Sequence, residues 1–345
     1  MKISLISFTQ NGANLGHLLA IFLSVQGYDA TVFTAGEYAK GLKIESINKP
    51  LKEWTKEQFE KADGIVFIGA TGIAVRTIAP FIKDKCTDPA ILVIDEKGEF
   101  VIPLLSGHIG GANELAHKIA SHLCTIPVIT TATDINQKFA VDLFAKKNNL
   151  YIPRMDYAKA ISAAILNEKQ VGFESEFPVI GSLPDNITDN KDCEYGICIS
   201  FNEKKEQFEK TLTLIPQIIT LGIGCRKGKT ADEIENVVLE VLGLNQISLH
   251  SISNVASIDL KKEEVGLLEF CNRLELKLIT YPKEIMEKVQ GIYSESDYVK
   301  SVTGVGNVCE RAAILGSGNG IMIQKKYAKN GVTVGIAKKD WSVRF

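Results

Sequence analysis

Residues Gly64–Asp134 read GIVFIGATGIAVRTIAPFIKDKCTDPAILVIDEKGEFVIPLLSGHIGGANELAHKIASHLCTIPVITTATD. Apolar runs in this stretch, at Ile65–Ile68, Ile91–Ile94 and Val128–Ile129, are short enough for buried strands, and loops of Gly, Thr, Ser, Asn and Asp follow them. In an open α/β sheet, ligands bind in the crevice beyond the carboxyl ends of the strands. The pattern therefore predicts a sheet whose polar loops gather at one edge, around an anionic or oxygen-rich ligand.

The residues before this stretch extend the same fold. Lys2–Phe8 reads as a buried strand, Leu15–Val25 as a helix and Ala30–Phe33 as a second strand. A strand–helix–strand unit of this kind predicts parallel pairing with a right-handed crossover. The polar loop Thr9–Asn14 would then lie at the same edge of the sheet as the later loops.

Glycine-rich strand–loop–helix segments occur again near the carboxyl terminus, from Ile218 and at Thr303–Glu310. The apolar pattern of strands and helices is weaker from Lys146 to about Pro216. At 345 residues the chain exceeds the usual size of a single core. The sequence predicts an α/β protein with two α/β domains of mainly parallel sheets, residues 1–145 and 216–345. A small connecting subdomain, residues 146–215, would join them.

Composition argues against several classes of protein. The 39 basic and 41 acidic residues leave a net charge of −2 and no basic stripe, which disfavours a nucleic-acid partner. The seven cysteines include no CxxC pair, so reduced thiols in a cytoplasmic protein are favoured over disulfides or a zinc site. No apolar run reaches the roughly 18 residues of a membrane span. We expect neither a membrane partner nor a metal ligated by the protein.

Gly228–Thr230 follows a predicted strand and precedes a helix, as a phosphate-binding P-loop does. The P-loop spacing needs a glycine at position 223, which is Ile223 here. Thr230 and Glu233 instead have the spacing of a helix capping box. Cys225 is a candidate reactive thiol, but the sequence identifies no base beside it. A nucleotide-dependent enzyme is one hypothesis for this segment, and it predicts binding of ATP or GTP.

Gly69, Thr71 and Gly72 form a turn between an apolar run and a predicted helix. A helix that begins at such a turn directs free backbone N–H groups and its positive dipole end at a bound anion. Arg76, one turn into the helix, would add a fixed charge for a carboxylate or phosphate. The alternative is a tight turn with a surface arginine. For Asp95–Gly98 we favour a hairpin turn over a role for its carboxylates.

Ser106–Glu114, SGHIGGANE, is the densest functional signal, because its glycines let backbone approach a ligand closely. His108 lies in the loop just before a helix, where a neutral imidazole can act as acid or base. The alternative is a structural histidine. Glu114 lies in the first turn of the helix, where it could also simply complement the helix dipole. The hydroxyls and carboxylate of Thr130–Asp134 could bind polar substituents or cap the next helix.

Several motifs resemble those of one family, the cobalamin biosynthesis protein CbiG. FIGATGIAVRTIAPFIKDKCTDPAILVIDEKG, LLSGHIGGANELA and ITTATD resemble its amino-terminal domain, and LGIGCRKG, SIDLKKEEVGLLE and VTGVGNVCERAAIL resemble its carboxyl-terminal domain. The resemblance covers both ends of the chain in order, with a looser middle. It implies a hydrolase of the anaerobic corrin pathway.

By this resemblance the chain would open the ring A δ-lactone of cobalt-precorrin-5A with water and release acetaldehyde, giving cobalt-precorrin-5B. No cofactor would be needed, since cobalt arrives inside the corrinoid substrate. Handover of intermediates to other enzymes of the corrin pathway is a further expectation, and the cysteine pattern predicts a cytoplasmic location. The competing class is a non-catalytic corrinoid carrier or scaffold of the same pathway.

The predicted catalytic residues are His108 and Glu114, either of which would activate water, while backbone N–H groups near Gly110 and Gly111 stabilise the oxyanion. A macrocycle with many carboxylates suits helix amino termini and arginines. The predicted substrate-binding residues are Gly69, Thr71, Gly72, Arg76, Ser106, Gly107, Gly110, Gly111, Asn113, Thr131, Thr133, Asp134, Gly224, Arg226, Gly304 and Gly306.

Overall fold

The computed structural model describes residues 1–36, 38, 44–84, 87–108, 110–136, 138–291 and 293–345. The side chains of Thr133, Asp134 and Tyr298 lie outside that description. The chain forms two units, Met1–Lys138 and Phe139–Phe345. None of the described helices combines the length and the apolar character that crossing a membrane requires.

The first unit alternates strands and helices from its first residues. Its elements are β1 (Lys2–Ser7), α1 (Gln10–Val25), β2 (Asp29–Thr34), β3 (Glu45–Ser46), α2 (Leu51–Lys61), β4 (Gly64–Ile68), α3 (Thr71–Ile78), β5 (Ala90–Ile94), β6 (Phe100–Leu105), α4 (Ala112–Leu123), β7 (Ile126–Pro127) and α5 (Ala132–Ile135).

Two segments predicted as polar loops are partly helical. The helix α1 begins at Gln10 and not at Leu15, because the Thr9 hydroxyl caps it by accepting a hydrogen bond from the Gly12 N–H at 3.1 Å. Thr130–Asp134 likewise contains the short helix α5. Polar residues are common at helix starts as well as in loops, so composition alone did not separate the two.

The sheet of the first unit has the strand order β3-β2-β1-β4-β5-β6-β7. One face packs against α1 and α4, and the other packs against α2 and α3. In β4, Val66 and Ile68 point to the first face, while Ile65 and Phe67 point to the second. A strand covered on both sides has apolar residues at nearly every position, which explains the unbroken run in the sequence.

The strand β6 reverses the direction of the chain. Ile91 lies opposite Leu105 and Ile94 opposite Val101, so β5 and β6 are antiparallel, and β7 pairs parallel to β6. Asp95–Gly98 is the hairpin turn, as predicted. The carboxyl ends of β6 and β7 therefore lie at the opposite edge of the sheet from those of β1, β4 and β5.

The second unit contains the remaining elements. They are α6 (Val141–Lys147), β8 (Leu150–Tyr151), α7 (Met155–Leu166), β9 (Val171–Ser175), β10 (Val179–Ile180), β11 (Ile187–Thr188), β12 (Tyr195–Ile199), β13 (Lys210–Pro216), β14 (Ile219–Cys225), α8 (Ala231–Leu244), β15 (Ile252–Ile258), α9 (Val265–Arg273), β16 (Lys277–Tyr281), α10 (Lys283–Glu287), α11 (Asp297–Thr303), α12 (Cys309–Gly316), β17 (Ile321–Lys329), β18 (Val332–Lys338) and β19 (Val343–Arg344).

These elements form two larger sheets and a short pair, β10-β19. The first sheet has the order β11-β9-β12-β13-β8 and is parallel except for β13 with β8. The second has the order β16-β15-β14-β18-β17, with a parallel half and an antiparallel half. The predicted class, α/β with mainly parallel sheets, is confirmed.

The second sheet of this unit is also covered on both faces. The helices α8 and α9 pack on one face, and α12 packs on the other. The predicted capping box starts α8, because the Thr230 hydroxyl accepts from the Glu233 N–H (3.2 Å) and the Glu233 carboxylate accepts from the Thr230 N–H (3.0 Å). Because β14, β15 and β16 are parallel, the loops after β14 and β16 lie at the same edge of this sheet. The start of α12 lies near the end of β14.

Candidate functional site

The topological switch point of the first unit lies between β1 and β4, which pair in parallel. The chain leaves β1 through α1 on one face and leaves β4 through α3 on the other. Where neighbouring connections leave on opposite faces, a crevice opens beyond the carboxyl ends of the strands, and ligands bind there in doubly wound proteins. The starts of α1 and α3 border this crevice.

Contacts across the crevice join three segments predicted to lie together. The Asn11 side-chain amide donates to the Glu96 carboxylate at 3.0 Å, which links α1 to the hairpin after β5. The Gly69 N–H donates to the Ile94 carbonyl at 2.8 Å. A Cβ on Gly69 would lie 3.0 Å from the Phe8 ring, so the backbone approaches closely at this point. The shared edge is confirmed for these segments.

The start of α3 presents free donors to the crevice. No side chain caps the helix, and the Thr71 and Gly72 N–H groups have no partner within the part of the chain that the structure describes. Arg76 folds back toward them, with Nη1 3.2 Å from where a Cβ on Gly72 would be. Its exposed guanidinium forms no ion pair or hydrogen bond with any described residue. The arrangement fits an anionic group.

The loop 106–111, Ser106 to Gly111, lies elsewhere, so the prediction of a single edge for all the polar loops is wrong. Because β6 is reversed, Ser106 lies at the start of β5, where its hydroxyl donates to the Asp88 carbonyl at 2.9 Å. Gly69 bonds to Ile94 at the other end of β5. Five residues of strand at about 3.3 Å each separate the two groups by about 15 Å.

Backbone hydrogen bonds close this loop on itself. The Gly111 N–H donates to the His108 carbonyl at 3.0 Å, and the Asn113 N–H donates to the Gly107 carbonyl at 3.0 Å. The Gly111 amide, expected to help stabilise an oxyanion, is therefore already engaged inside the loop. The Gly110 N–H has no backbone partner among the described residues.

Ser106 and Gly110 pack closely against each other. A Cβ on Gly110 would overlap the Ser106 side chain and lie 2.7 Å from its carbonyl oxygen. Ser106 itself has φ 56°, in the left-handed region that residues other than glycine rarely adopt. His108, between these two residues in the chain, is half-buried.

Asn113 joins the loop to the segment after β7. Its side chain is 7% exposed, packs directly over Gly107, and donates to the Thr131 hydroxyl at 3.1 Å. The structure thus brings Asn113 and Thr131, two of the predicted substrate-binding residues, into contact. The side chains of Thr133 and Asp134 lie outside the described part, so their predicted role stays a prediction.

Glu114 lies at the surface in the first turn of α4, with its side chain 72% exposed. Its carboxylate lies 2.8 Å from the Lys118 ammonium, which also donates to the Tyr28 hydroxyl at 2.9 Å. These two partners, Glu114 first, raise the pKa of Lys118 to about 12. The Glu114 carboxylate is open to water but already holds a cationic partner.

In the second unit, Gly224 and Arg226 lie where β14 ends. Gly224 pairs with Thr333, whose hydroxyl donates to the Gly224 carbonyl at 3.1 Å, so it is a strand residue and not a loop residue. A Cβ on Gly224 would lie 3.9 Å from Val308. The Arg226 guanidinium is exposed, and no residue of the described chain pairs with it.

A cavity of about 380 Å³ lies beside Gly304 and Gly306. Gly304 ends α11 with φ 81°, and the Glu295 carboxylate lies directly over Gly306. Its lining residues are Glu287, Glu295, Ser296, Asp297, Lys300, Gly304, Val305, Gly306 and Arg311. Sequence reasoning missed Arg311, although a lone arginine in the first turn of a helix after a glycine-rich segment was an available signal.

Two further kinds of site considered in the sequence are a metal site and a reactive thiol at Cys225. Across the described ranges, no group of three or more His, Cys, Asp or Glu side chains is placed to hold a metal ion. Burial raises the pKa of the Cys225 thiol, and this is opposite to the shift that activates a cysteine.

Three family patterns of cobalamin synthesis match the chain in order. They are "Cobalamin synthesis G N-terminal" at residues 53–134, "Cobalamin biosynthesis central region" at residues 139–216 and "Cobalamin synthesis G C-terminus" at residues 219–337. A doubly wound α/β protein that carries these three segments is a protein of cobalamin biosynthesis.

Curated relatives narrow the class. A cobalt-precorrin-5A hydrolase of Priestia megaterium is 32% identical over 97% of this chain and 94% of its own length. A second, of Salmonella typhimurium, is 31% identical over 96% of both chains. A solved structure of a cobalamin biosynthesis protein G homologue from Sulfolobus solfataricus is 24% identical, with a TM-score of 0.44 over 98% of this chain and 97% of that one. The chain belongs to the CbiG family and is a hydrolase.

Proposed function

We propose that the chain opens the ring A δ-lactone of cobalt-precorrin-5A with water and releases acetaldehyde, giving cobalt-precorrin-5B. The observation that carries the proposal is the 32% identity, over nearly the full length, to a relative named cobalt-precorrin-5A hydrolase. Water adds to the lactone carbonyl, which becomes a carboxylate, and the ring oxygen leaves as a hydroxyl. Acetaldehyde then departs by cleavage of a carbon–carbon bond, whose electron pair passes to the corrin ring and is protonated there.

The proposed general base is His108, with Glu114 as the second candidate. His108 is half-buried and lies two residues before Gly110, whose N–H has no backbone partner in the described chain and would donate to the oxyanion. Glu114 is largely exposed and paired with Lys118, so it is less suited to hold a water molecule in one position. In this proposal cobalt enters as part of the substrate, and the protein uses no cofactor of its own. The reaction takes place in the cytoplasm.

Substitution of His108 tests this assignment. His108→Ala should lower the rate of acetaldehyde release by about 10²- to 10⁴-fold, the usual effect of removing a general base. The matched control is His117→Ala, because His117 is an exposed histidine on α4 and should leave the rate unchanged. Full release by both His108→Ala and Glu114→Gln would show that this loop contains no catalytic base.

The switch-point crevice is the competing location for the lactone, since Arg76 and the start of α3 suit a carboxylate or an oxyanion. About 15 Å of sheet separates it from loop 106–111, so each group can be altered without disturbing the other. Under the proposal, Arg76→Met raises KM or has no effect. Loss of turnover in Arg76→Met, with a normal rate in His108→Ala, would move the chemistry to the switch point.

The non-catalytic carrier remains the alternative function for the corrinoid site. A carrier binds cobalt-precorrin-5A and returns it unchanged, whereas the proposed enzyme converts it without help from another protein.

Titration with ATP and GTP tests the nucleotide hypothesis, and we expect no binding because the loop after β14 lacks the P-loop spacing. We also propose handover of product to other corrin-pathway enzymes, which co-purification under mild conditions would detect.

A further inference from the structure

Arg311 of α12 is held in one orientation by the chain around it. Its side chain is 15% exposed. One terminal nitrogen donates to the carbonyl oxygens of Met286 (3.1 Å) and Val289 (3.2 Å). The guanidinium lies 4.5 Å from the centre of the Tyr293 ring, in the arrangement of a cation–π contact. An arginine fixed in this way is organised in advance for binding, because little further order is lost when it bonds to a ligand.

One side of this guanidinium is incompletely bonded. Its Nε is buried and has no hydrogen-bond partner among the described residues, while Nη2 donates to a Glu295 carboxylate oxygen at 2.8 Å. Nε and Nη2 together form the pair of donors that can bind both oxygens of one carboxylate. A buried donor without a partner is unfavourable in free energy, so a ligand that supplies the second bond gains from it.

Glu295 occupies the place where such a ligand would bind. It belongs to a loop, its side chain is 53% exposed, and its carboxylate covers Gly306 at the cavity of about 380 Å³. Lys300 also lines this cavity, together with Glu287 and Asp297. The acidic neighbours disfavour the addition of an anion while Glu295 stays in place. A carboxylate ligand must therefore exchange with Glu295.

We infer that Arg311 binds a carboxylate substituent of the ligand, and that Glu295 is an internal competitor for the same donors. The inference rests on the proposed function, because a corrinoid intermediate with acidic side chains supplies the carboxylates. It assigns the second unit a binding site of its own, in addition to the loop proposed for the chemistry. The site selects free carboxylates and rejects their esters, which lack the charge.

The probe is cobyrinic acid, a cobalt corrinoid with free carboxylate side chains, compared with its methyl ester and titrated into the full chain. Arg311→Met should weaken binding of the acid by roughly 10- to 100-fold, the value of a charged hydrogen-bonded pair. Glu295→Gln should strengthen it by a few-fold to about tenfold, because the competing charge is removed. Neither substitution should change binding of the ester. Arg273→Met and Glu263→Gln, which alter exposed charges of the same unit, are the matched controls.

The opposite signs separate binding from a structural role. If Glu295 and Arg311 only stabilise the loop, both substitutions weaken binding or leave it unchanged, and the inference is wrong. Arg311→Met also removes two hydrogen bonds to backbone carbonyl groups and could therefore weaken binding by disturbing the structure. Glu295→Gln retains the shape of the side chain, so its effect on affinity distinguishes a binding role from a structural one. Acetaldehyde release is measured separately: its absence in the unaltered chain refutes the proposed function, whereas unchanged affinity in Glu295→Gln refutes this inference alone.

Discussion

Gly222 shows how one residue permits the packing of the second unit. A Cβ at this position would overlap the Cys309 carbonyl oxygen and lie 2.6 Å from the Ala313 nitrogen, both of them backbone atoms of α12. In the sequence, Gly224 looks like part of a ligand loop, but in the structure both Gly222 and Gly224 are residues of the strand β14, and Gly222 lets a helix approach. That use of glycine could not be predicted, because α12 lies far along the chain.

Gly222→Ala is therefore expected to destabilise the protein by about 1 to 3 kcal/mol or more, as overpacking against fixed atoms does. Gly243→Ala is the control, since Gly243 lies in α8 with nothing within 4 Å of an added Cβ. There the change should stabilise by roughly 0.5 to 1 kcal/mol, because alanine loses less entropy in a helix. Urea unfolding of the full chain measures both free energies, and equal effects would contradict the packing described.

Thiol reactivity gives a second prediction at the residue scale. Burial raises the pKa of Cys198 and Cys309 to about 11 and that of Cys271 to about 12, so these thiols stay protonated and enclosed at neutral pH. Cys124 is exposed. A maleimide should label Cys124 well before the other three, as peptide mapping would show. Prompt labelling of Cys271 in the folded protein would mean that its helix is not packed as described.

Among the elements, β6 decides which loops meet. The hairpin at Asp95–Gly98 was predicted from its turn residues, and a hairpin reverses the chain, so the reversal of loop 106–111 was implied by the sequence. The prediction of a single edge failed because it treated every strand as parallel. The switch point between β1 and β4 was harder to predict from the sequence, because the order of strands in a sheet depends on contacts between distant segments. The fold-back of Arg76 over Gly72 depends on a side-chain conformation, which no pattern in the sequence specifies.

The capping box of α8 offers a test of one element. Thr230→Ala should lower the free energy of unfolding by about 1 kcal/mol, and the double variant with Glu233→Gln should lose less than the sum, because the two residues bond to each other. Lys229, and then the Thr230 N–H, hold the pKa of Glu233 below its ordinary 4.5. The contribution of Glu233 is thus complete above that value and fades as the pH falls through the lowered pKa. Additive losses would mean that the box does not form.

For the whole molecule, the sequence predicted the class and the order of elements, because buried strands and helices leave periodic apolar runs. The chain divides between Lys138 and Phe139, and α6 packs into the core of the second unit. Near the end of the chain, Phe345 stacks on Phe144 at 4.7 Å and meets Phe173 edge-on at 4.9 Å. Contacts between the two ends of a unit leave no periodic signal, so they could not be predicted.

Residues 139–345 should fold when expressed alone, since their core clusters consist of residues of that unit. We expect a cooperative thermal transition by circular dichroism. Removal of Trp341–Phe345 should lower its midpoint, because it deletes four aromatic contacts of the core. A fragment without a cooperative transition would show that the second unit depends on the first for its stability.

The most direct test of the central claim is acetaldehyde release by the purified full chain from cobalt-precorrin-5A in isotopically labelled water. The proposed function predicts one acetaldehyde for each substrate consumed, and one labelled oxygen in the carboxylate formed from the lactone. Recovery of unchanged substrate after tight binding would contradict it and identify a carrier. Acetaldehyde without label in the new carboxylate would contradict attack by water on the lactone carbonyl.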